Sequence, residues 1–309
     1  MILYYAVGGG MGHLVRASKF ATHKNWQNFV VLTAYKPEEQ KVFDSSMIET
    51  IDQELVHQPS ELWQYILQLL TSKNIKEFYL DTFPSGILGE IPAWKNNPIS
   101  QHCNLFYVAR RLNWQTYAPK VPTAFLADSE HQSPQFKASY IVEELGEQQQ
   151  QFVEQNSERV EQVSLPAVSQ LNSLSKPTFV KGVIDKLKNS SGEKWLIVHS
   201  GPQKEVEELM RYAEEISRLE AEGNPTQKQL FVCTMVDSLE PNGLSQSTFI
   251  QFRHYPAIEL FPHFDRLFTG CGFNTMNEAK LFSGKHHFLP FPRKYDDQFL
   301  RASKARDKQ

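Results

Sequence analysis

Asp265-Arg266-Leu267-Phe268-Thr269-Gly270-Cys271-Gly272-Phe273-Asn274-Thr275, with Glu278 shortly after, then Pro290-Phe291-Pro292 and Asp296-Asp297-Gln298, is the stretch that decides the fold. A short apolar run ends in two glycines separated by one residue, and an amphipathic segment follows directly. That order predicts a strand, a tight turn and a helix start. The first N–H groups of a helix lack intrahelical partners and its dipole is positive there, so the turn attracts an anion. Glu278 falls about one helical turn after Asn274, on a face that can reach a hydroxyl-rich neighbour of the anion. An anion cradle, a carboxylate and a second acidic loop together suggest a nucleotide-sugar site.

Two further glycine turns have the same layout. Gly8-Gly9-Gly10-Met11-Gly12-His13 follows the strand-like run Ile2–Val7 and opens a helix that carries Arg16. No Lys-Ser or Lys-Thr follows, so it is not a Walker loop, and the G-x-G-x-x-G spacing is not met cleanly. Glycines there let a ligand approach the backbone. His13 has two readings at that helix start: a general base if its pKa stays near neutral, or a histidine bonded to nearby backbone. The turn Ser200-Gly201-Pro202-Gln203-Lys204 follows strand Lys194–His199. It is either an ordinary strand–helix loop or, with Gly270–Asn274, one of two loops bracketing a pyrophosphate.

With 309 residues, 40% of them apolar and 12% aromatic, the chain is long enough for two packed domains. The net charge of −3 gives no reason to expect nucleic acid as a partner. Cys103, Cys233 and Cys271 make neither a fully paired disulfide framework nor a metal-ligand spacing, which fits a reducing cytoplasm. No apolar run approaches the roughly 20 residues of a membrane span. The chain opens directly on a strand with no cleavage signature. A soluble cytoplasmic protein is the expectation.

Alternation of apolar runs with helical patterns organises the rest. Strands are expected at Ile2–Val7, Asn28–Thr33, Glu77–Asp81, Asn104–Ala109, Thr123–Ala127 and Ser139–Val142, with helices at Gly12–Lys24, Ser60–Ser72 and, as a solvated helix, Glu147–Arg159. A passage between domains is read at Lys176–Ser191. Beyond it come strands Lys194–His199, Gln229–Met235, Thr248–Phe252, Arg266–Thr269 and His286–Pro290, and helices Gln203–Glu222, Ala257–His263 and Asn274–Phe282. Two doubly wound α/β domains follow, at 1–175 and 176–309, with ligands at the C-terminal ends of the strands.

Taken together, Gly8 to Ala17, the segment Asp81-Thr82-Phe83-Pro84-Ser85-Gly86 with Glu90, and the C-terminal constellation resemble the GT-B glycosyltransferases, in particular the MurG-like and related predicted ones. The resemblance covers both halves in order. It implies two Rossmann-like domains facing a cleft, the acceptor on the N-terminal side and a nucleoside-diphosphate sugar as donor on the C-terminal side, with no separate cofactor. His13 matches the candidate base, and Gly9, Gly10 and Gly12 lie on the acceptor side. Gly270, Gly272, Asn274 and Thr275 match the phosphate turn, with Ser200 and Gly201 beside it. Glu278 matches the ribose carboxylate, Asp297 and Gln298 the pair that grips the sugar, and Tyr255 marks where the base is held. GT-B enzymes commonly continue past this point with a helix that crosses back; ending at Gln309, this chain is expected to close more loosely.

Several features are read as structural. Asp296 and Asp297 are adjacent, not one residue apart, so they do not form a metal clamp. His286 and His287 point to opposite faces of a strand. From Ile91 to Ala127 there is no Asp or Glu, while Lys95, Arg110, Arg111 and Lys120 stand among Trp94, Phe106, Tyr107, Trp114 and Tyr117. That region is read as a core strand with flanking cations, the alternative being an acceptor groove or a peripheral membrane contact. Arg110 is its candidate anion contact. Transfer to an unidentified acceptor, inverting and metal-independent, is the leading function. A nucleotide-sugar epimerase of the same fold and a non-catalytic nucleotide-sugar-binding or regulatory protein are the alternatives.

Overall fold

The structure, a computed structural model, describes residues 1–8, 10–40, 42–52, 54–122, 134–167, 185, 187, 192–221, 228–236, 239 and 249–307. The chain divides into two compact units, Met1–Leu171 with Arg293–Asp297, and Asn172–Pro292 with Gln298–Gln309. The expected boundary at 175/176 and the expected strand Thr123–Ala127 lie outside the described residues.

In the first unit, strands β1 (Ile2–Tyr5), β2 (Phe29–Thr33), β3 (Ile48–Thr50), β4 (Glu77–Asp81), β5 (Asn104–Ala109), β6 (Ala138–Ile141) and β7 (Val160–Gln162) form one sheet in the order β3-β2-β1-β4-β5-β6-β7. Every pairing is parallel. A parallel sheet is covered on both faces, which is why β2 reads Phe-Val-Val-Leu-Thr and is buried throughout. The covering helices are α1 (Gly12–His23), α2 (Pro59–Ser72), α3 (Trp114–Tyr117) and α4 (Glu147–Asn156). In α2, Leu62, Trp63, Ile66, Leu69 and Leu70 recur at helical spacing and are the residues it buries. Pro59 opens that helix, where its missing N–H costs no hydrogen bond.

Strand order reverses at β1. The chain runs outward through β2 and β3, then returns to lay β4 on the other side of β1. Ligands in such sheets gather outside the strand ends at this switch point.

The second unit repeats the plan with five parallel strands: β8 (Glu193–His199), β9 (Lys228–Thr234), β10 (Phe249–Phe252), β11 (Arg266–Gly270) and β12 (His286–Leu289), in the order β10-β9-β8-β11-β12. Its helices are α5 (Gln203–Ala221), α6 (Phe273–Ala279) and α7 (Gln298–Arg306). Its switch point lies between β8 and β11.

Some expectations need correction. Ala257–His263 is a 3-10 helix, with Pro262 inside it. The helix expected to reach Phe282 ends as α-helix at Ala279 and goes on as 3-10 turns to Lys285, with Phe282 outside helical geometry. Of the aromatic residues read between Ile91 and Ala127, Trp94, Phe106, Tyr107 and Tyr117 are buried and belong to the core, while Trp114 is half-buried. Among the described helices none is long and apolar enough to cross a membrane.

His286 and His287 do face opposite ways. His286 is buried with its Nε2 2.7 Å from Thr269 Oγ1, while His287 stacks on Phe268 at 5.0 Å and its Nε2 is 3.1 Å from Arg266 Nη1. Burial pushes His286 down from 6.5 to about 4, with the neighbouring His287 adding to the effect. Between those values the unfolded chain binds a proton that the folded one refuses, so stability falls as pH drops through that window. Denaturant midpoints from pH 7 to pH 4 should therefore decline. In His286→Gln that decline should be shallower, by on the order of 2–3 kcal/mol at the acid end.

Candidate functional site

At the first switch point, the last residue of β4 supplies a carboxylate. The Asp81 side chain is fully buried and is met by Tyr4, His13 and Arg16, with the Thr82 hydroxyl at 3.5 Å from Oδ2. Arg16 Nε and Nη2 reach Oδ1 and Oδ2 at 2.6 and 2.5 Å, and the Tyr4 hydroxyl donates to Oδ1 at 2.9 Å. His13 Nδ1 lies 2.5 Å from Oδ2. The local cause is simple. The glycine turn after β1 starts α1 at once, and His13 and Arg16, three residues apart, share the helix face turned to the end of β4.

Electrostatics then fixes the protons. Burial opposes charge on Asp81, but the Arg16 guanidinium and the His13 hydrogen bond prevail and hold its carboxyl far below the ordinary range. A carboxylate so near Nδ1 makes that nitrogen the donor, leaving Nε2 as the basic lone pair of His13. Burial also pushes His13 below 6.5, with Asp81 opposing and Arg16 and Arg110 assisting. The imidazole is thus neutral at neutral pH, oriented, and 12% exposed.

The ring is seated from both sides. A Cβ added at Gly8 would stand 2.1 Å from His13 Nε2, so the first glycine of the turn is needed to make room. Phe83 stacks on the other side at 5.6 Å. Phe83 is held by a loop that Thr82 enters at φ 69° and that Gly86 and Gly89 carry on at positive φ. Tyr117 Oη accepts from Ser85 N and donates to Gly86 O, while buried Glu90 takes the Tyr5 hydroxyl and the Leu88 N–H. Burial raises the Glu90 carboxyl above its ordinary value.

At the second switch point, α6 begins at Phe273 with Gly272 as its N-cap, and no acidic residue stands in its first turn. Phe273, Met276 and Ala279 are buried, whereas Asn274, Thr275 and Glu278 are partly exposed. A Cβ at Gly272, or at Gly10 in the first unit, would meet nothing within 4 Å, so neighbouring atoms do not impose glycine there. At the end of β8, Ser200 is exposed and Gly201 half-buried. Tyr255, half-buried, precedes Pro256 across a cis peptide bond.

Other expected site residues are placed differently. Gly9 lies outside the described residues, and Gly12 is the exposed first residue of α1. Arg110 is buried and its anions are the protein's own, Asp296 in contact with Nη1 and Glu143 at 4.0 Å. Gln298 turns inward, its carboxamide oxygen accepting the Phe291 N–H at 3.0 Å. Asp297 groups with the first unit and Gln298 with the second. Sequence reasoning assigned no role to Asp81, Arg16, His199 or Glu205. Asp81 needed the knowledge that β4 lies beside β1, which no local pattern carries.

No family model matches the sequence, and no curated protein matches it. Solved structures do match. The glycosyltransferase SnogD from Streptomyces nogalater aligns at a TM-score of 0.58 and 11% identity, over 98% of this chain and 84% of its own. The fold is that of the GT-B glycosyltransferases. The spinosyn forosaminyltransferase SpnP aligns at 0.55 and 12%, over 99% of this chain and 83% of its own. Phytolacca americana UGT2, complexed with UDP-2fluoro-glucose and pterostilbene, aligns at 0.54 and 13%, over 97% and 82%. Identities this low speak for the GT-B fold alone, and the MurG-like subgroup remains a resemblance of the sequence.

Because the His13 ring occupies the volume beside Gly8, Gly8→Ala should expel it from its contact with Asp81. The expected result is an unchanged far-ultraviolet circular dichroism spectrum with the His13 imidazole NMR signals shifted to those of a solvent-exposed ring. Unshifted signals would show that the turn adapts without moving the histidine.

Proposed function

We propose that the protein is a glycosyltransferase that moves a hexose from a nucleoside-diphosphate sugar to a hydroxyl acceptor, with inversion and without a metal. One observation carries the reading: a neutral histidine, locked by a buried carboxylate, presents Nε2 at the switch point of a GT-B domain. Its support on the donor side is the glycine turn before α6 and the UDP-sugar bound to the Phytolacca americana neighbour.

In this mechanism His13 Nε2 takes the acceptor hydroxyl proton as the oxygen attacks the anomeric carbon. The bond from that carbon to the diphosphate oxygen breaks, and its electron pair leaves with the nucleoside diphosphate. Asp81 keeps the imidazolium oriented and balances its charge without taking the proton. The N–H groups at Gly272, Asn274 and Thr275 and the positive end of α6 meet the charge growing on the leaving group. Glu278 receives the ribose hydroxyls, Tyr255 flanks the base, and Asp297 alone of the expected pair faces the sugar. The acceptor oxygen displaces the diphosphate in a single step, from the face opposite the leaving group, so the anomeric centre inverts.

The donor reading is tested by melting. UDP-, TDP- and GDP-sugars should include at least one that raises the melting temperature, since a ligand bound to the native state stabilises it; no shift across the set would remove the donor site. His13→Ala and Asp81→Asn should each lower transfer by roughly 10²-fold or more while that shift persists. A base with a depressed pKa works when unprotonated, so the acid limb of kcat/KM should lie below pH 6.5 in the wild type. An acid limb at or above that value would point to another base.

A further inference from the structure

The second switch point holds a histidine–carboxylate pair of its own. His199 is the last residue of β8, and Glu205 stands in the first turn of α5. Their Nε2 and Oε2 atoms are 2.6 Å apart, and the side chains are only 10% and 13% exposed. Both glycine turns of this sheet edge are shaped around the pair. A Cβ at Gly201 would stand 2.4 Å from His199 Nε2 and 2.7 Å from Glu205 Oε2. A Cβ at Gly270 would stand 2.9 Å from Cε1 and 3.0 Å from Nδ1 of the same ring. Phe291 flanks the ring at 5.1 Å. The imidazole therefore fills the volume that a side chain at position 270 would occupy, at the mouth of the turn that precedes α6.

We propose that His199 is a donor-diphosphate contact, an imidazolium that Glu205 holds at Nε2 so that Nδ1–H donates to the phosphate oxygens. This rests on the glycosyltransferase reading and adds a residue to it. The chemistry explains the arrangement. A carboxylate on one ring nitrogen favours the doubly protonated ring, and a diphosphate on the other favours it further. A charge-assisted hydrogen bond of this kind is about twice as strong as a neutral one. The ring sits against Gly270, beside the turn that leads into α6. The neutral base His13 has the opposite requirement and the opposite surroundings, with two arginines adding positive charge near it.

The test is calorimetric titration of the full chain with UDP, GDP, TDP and ADP, each against its own nucleoside. In His199→Phe, which keeps a ring beside Phe291, the best-bound diphosphate should weaken roughly 10- to 100-fold while its nucleoside is unaffected. Glu205→Gln, which keeps a hydrogen-bonding group but not the charge, should weaken the diphosphate by a smaller factor and provides the reading if the phenylalanine variant does not fold. Diphosphate affinity unchanged in the folded variant overturns the role of His199 and leaves the glycosyltransferase reading standing. An equal loss for nucleoside and diphosphate also overturns it, by reducing the ring to scaffolding. A wild type that binds none of the four diphosphates overturns both.

Discussion

A carboxylate sealed from water is costly, on the order of several kcal/mol for one ion even after the protein relaxes around it. Asp81 is tolerable only because a guanidinium meets it through two nitrogens and a phenol and an imidazole complete its shell. The cluster draws on three elements: Tyr4 from β1, His13 and Arg16 from α1, and Asp81 from β4. The ion cluster therefore fixes how the first helix meets the two central strands. The same cluster sets the tautomer of His13, so structural tie and chemical competence are one arrangement.

Each unit has a histidine at its switch point, and the two are set up differently. His13 is the residue after a glycine turn, reaches back to a strand-end carboxylate, and is kept neutral by burial and neighbouring arginines. His199 ends a strand and is held by a carboxylate on the helix that follows. In both cases glycine provides the volume, Gly8 for one ring and Gly201 with Gly270 for the other. The glycine-rich turns of this chain are thus partly seats for imidazoles, besides offering backbone to a ligand.

Much of this was legible from residue order. Long apolar runs such as Asn104–Ala109 and Glu77–Asp81 gave strands at their observed bounds, because a strand covered on both faces needs a continuous apolar stretch. The three-residue edge strands Ile48–Thr50 and Val160–Gln162 were not foreseen, since three residues carry no period. His13 stood out because a turn and a helix start flag it locally. Its partner did not, because contact between residues 68 apart depends on strand order. Arg110 and Gln298 look like ligand residues by type, yet burial and the Asp296 and Phe291 contacts commit them to the protein itself.

Strand order has a further meaning for how the chain reaches this state. Tyr4 and Asp81 are 77 residues apart, and β1 cannot pair with β4 until the chain between them has been synthesised. Closing loops of that length is entropically demanding, and parallel sheets of this kind fold slowly for that reason. The ion cluster completes only after that closure, so the N-terminal histidine emerges from synthesis long before its carboxylate exists beside it. During that interval α1 carries a basic, partly apolar face without its cover, the kind of exposure that chaperones recognise in nascent chains.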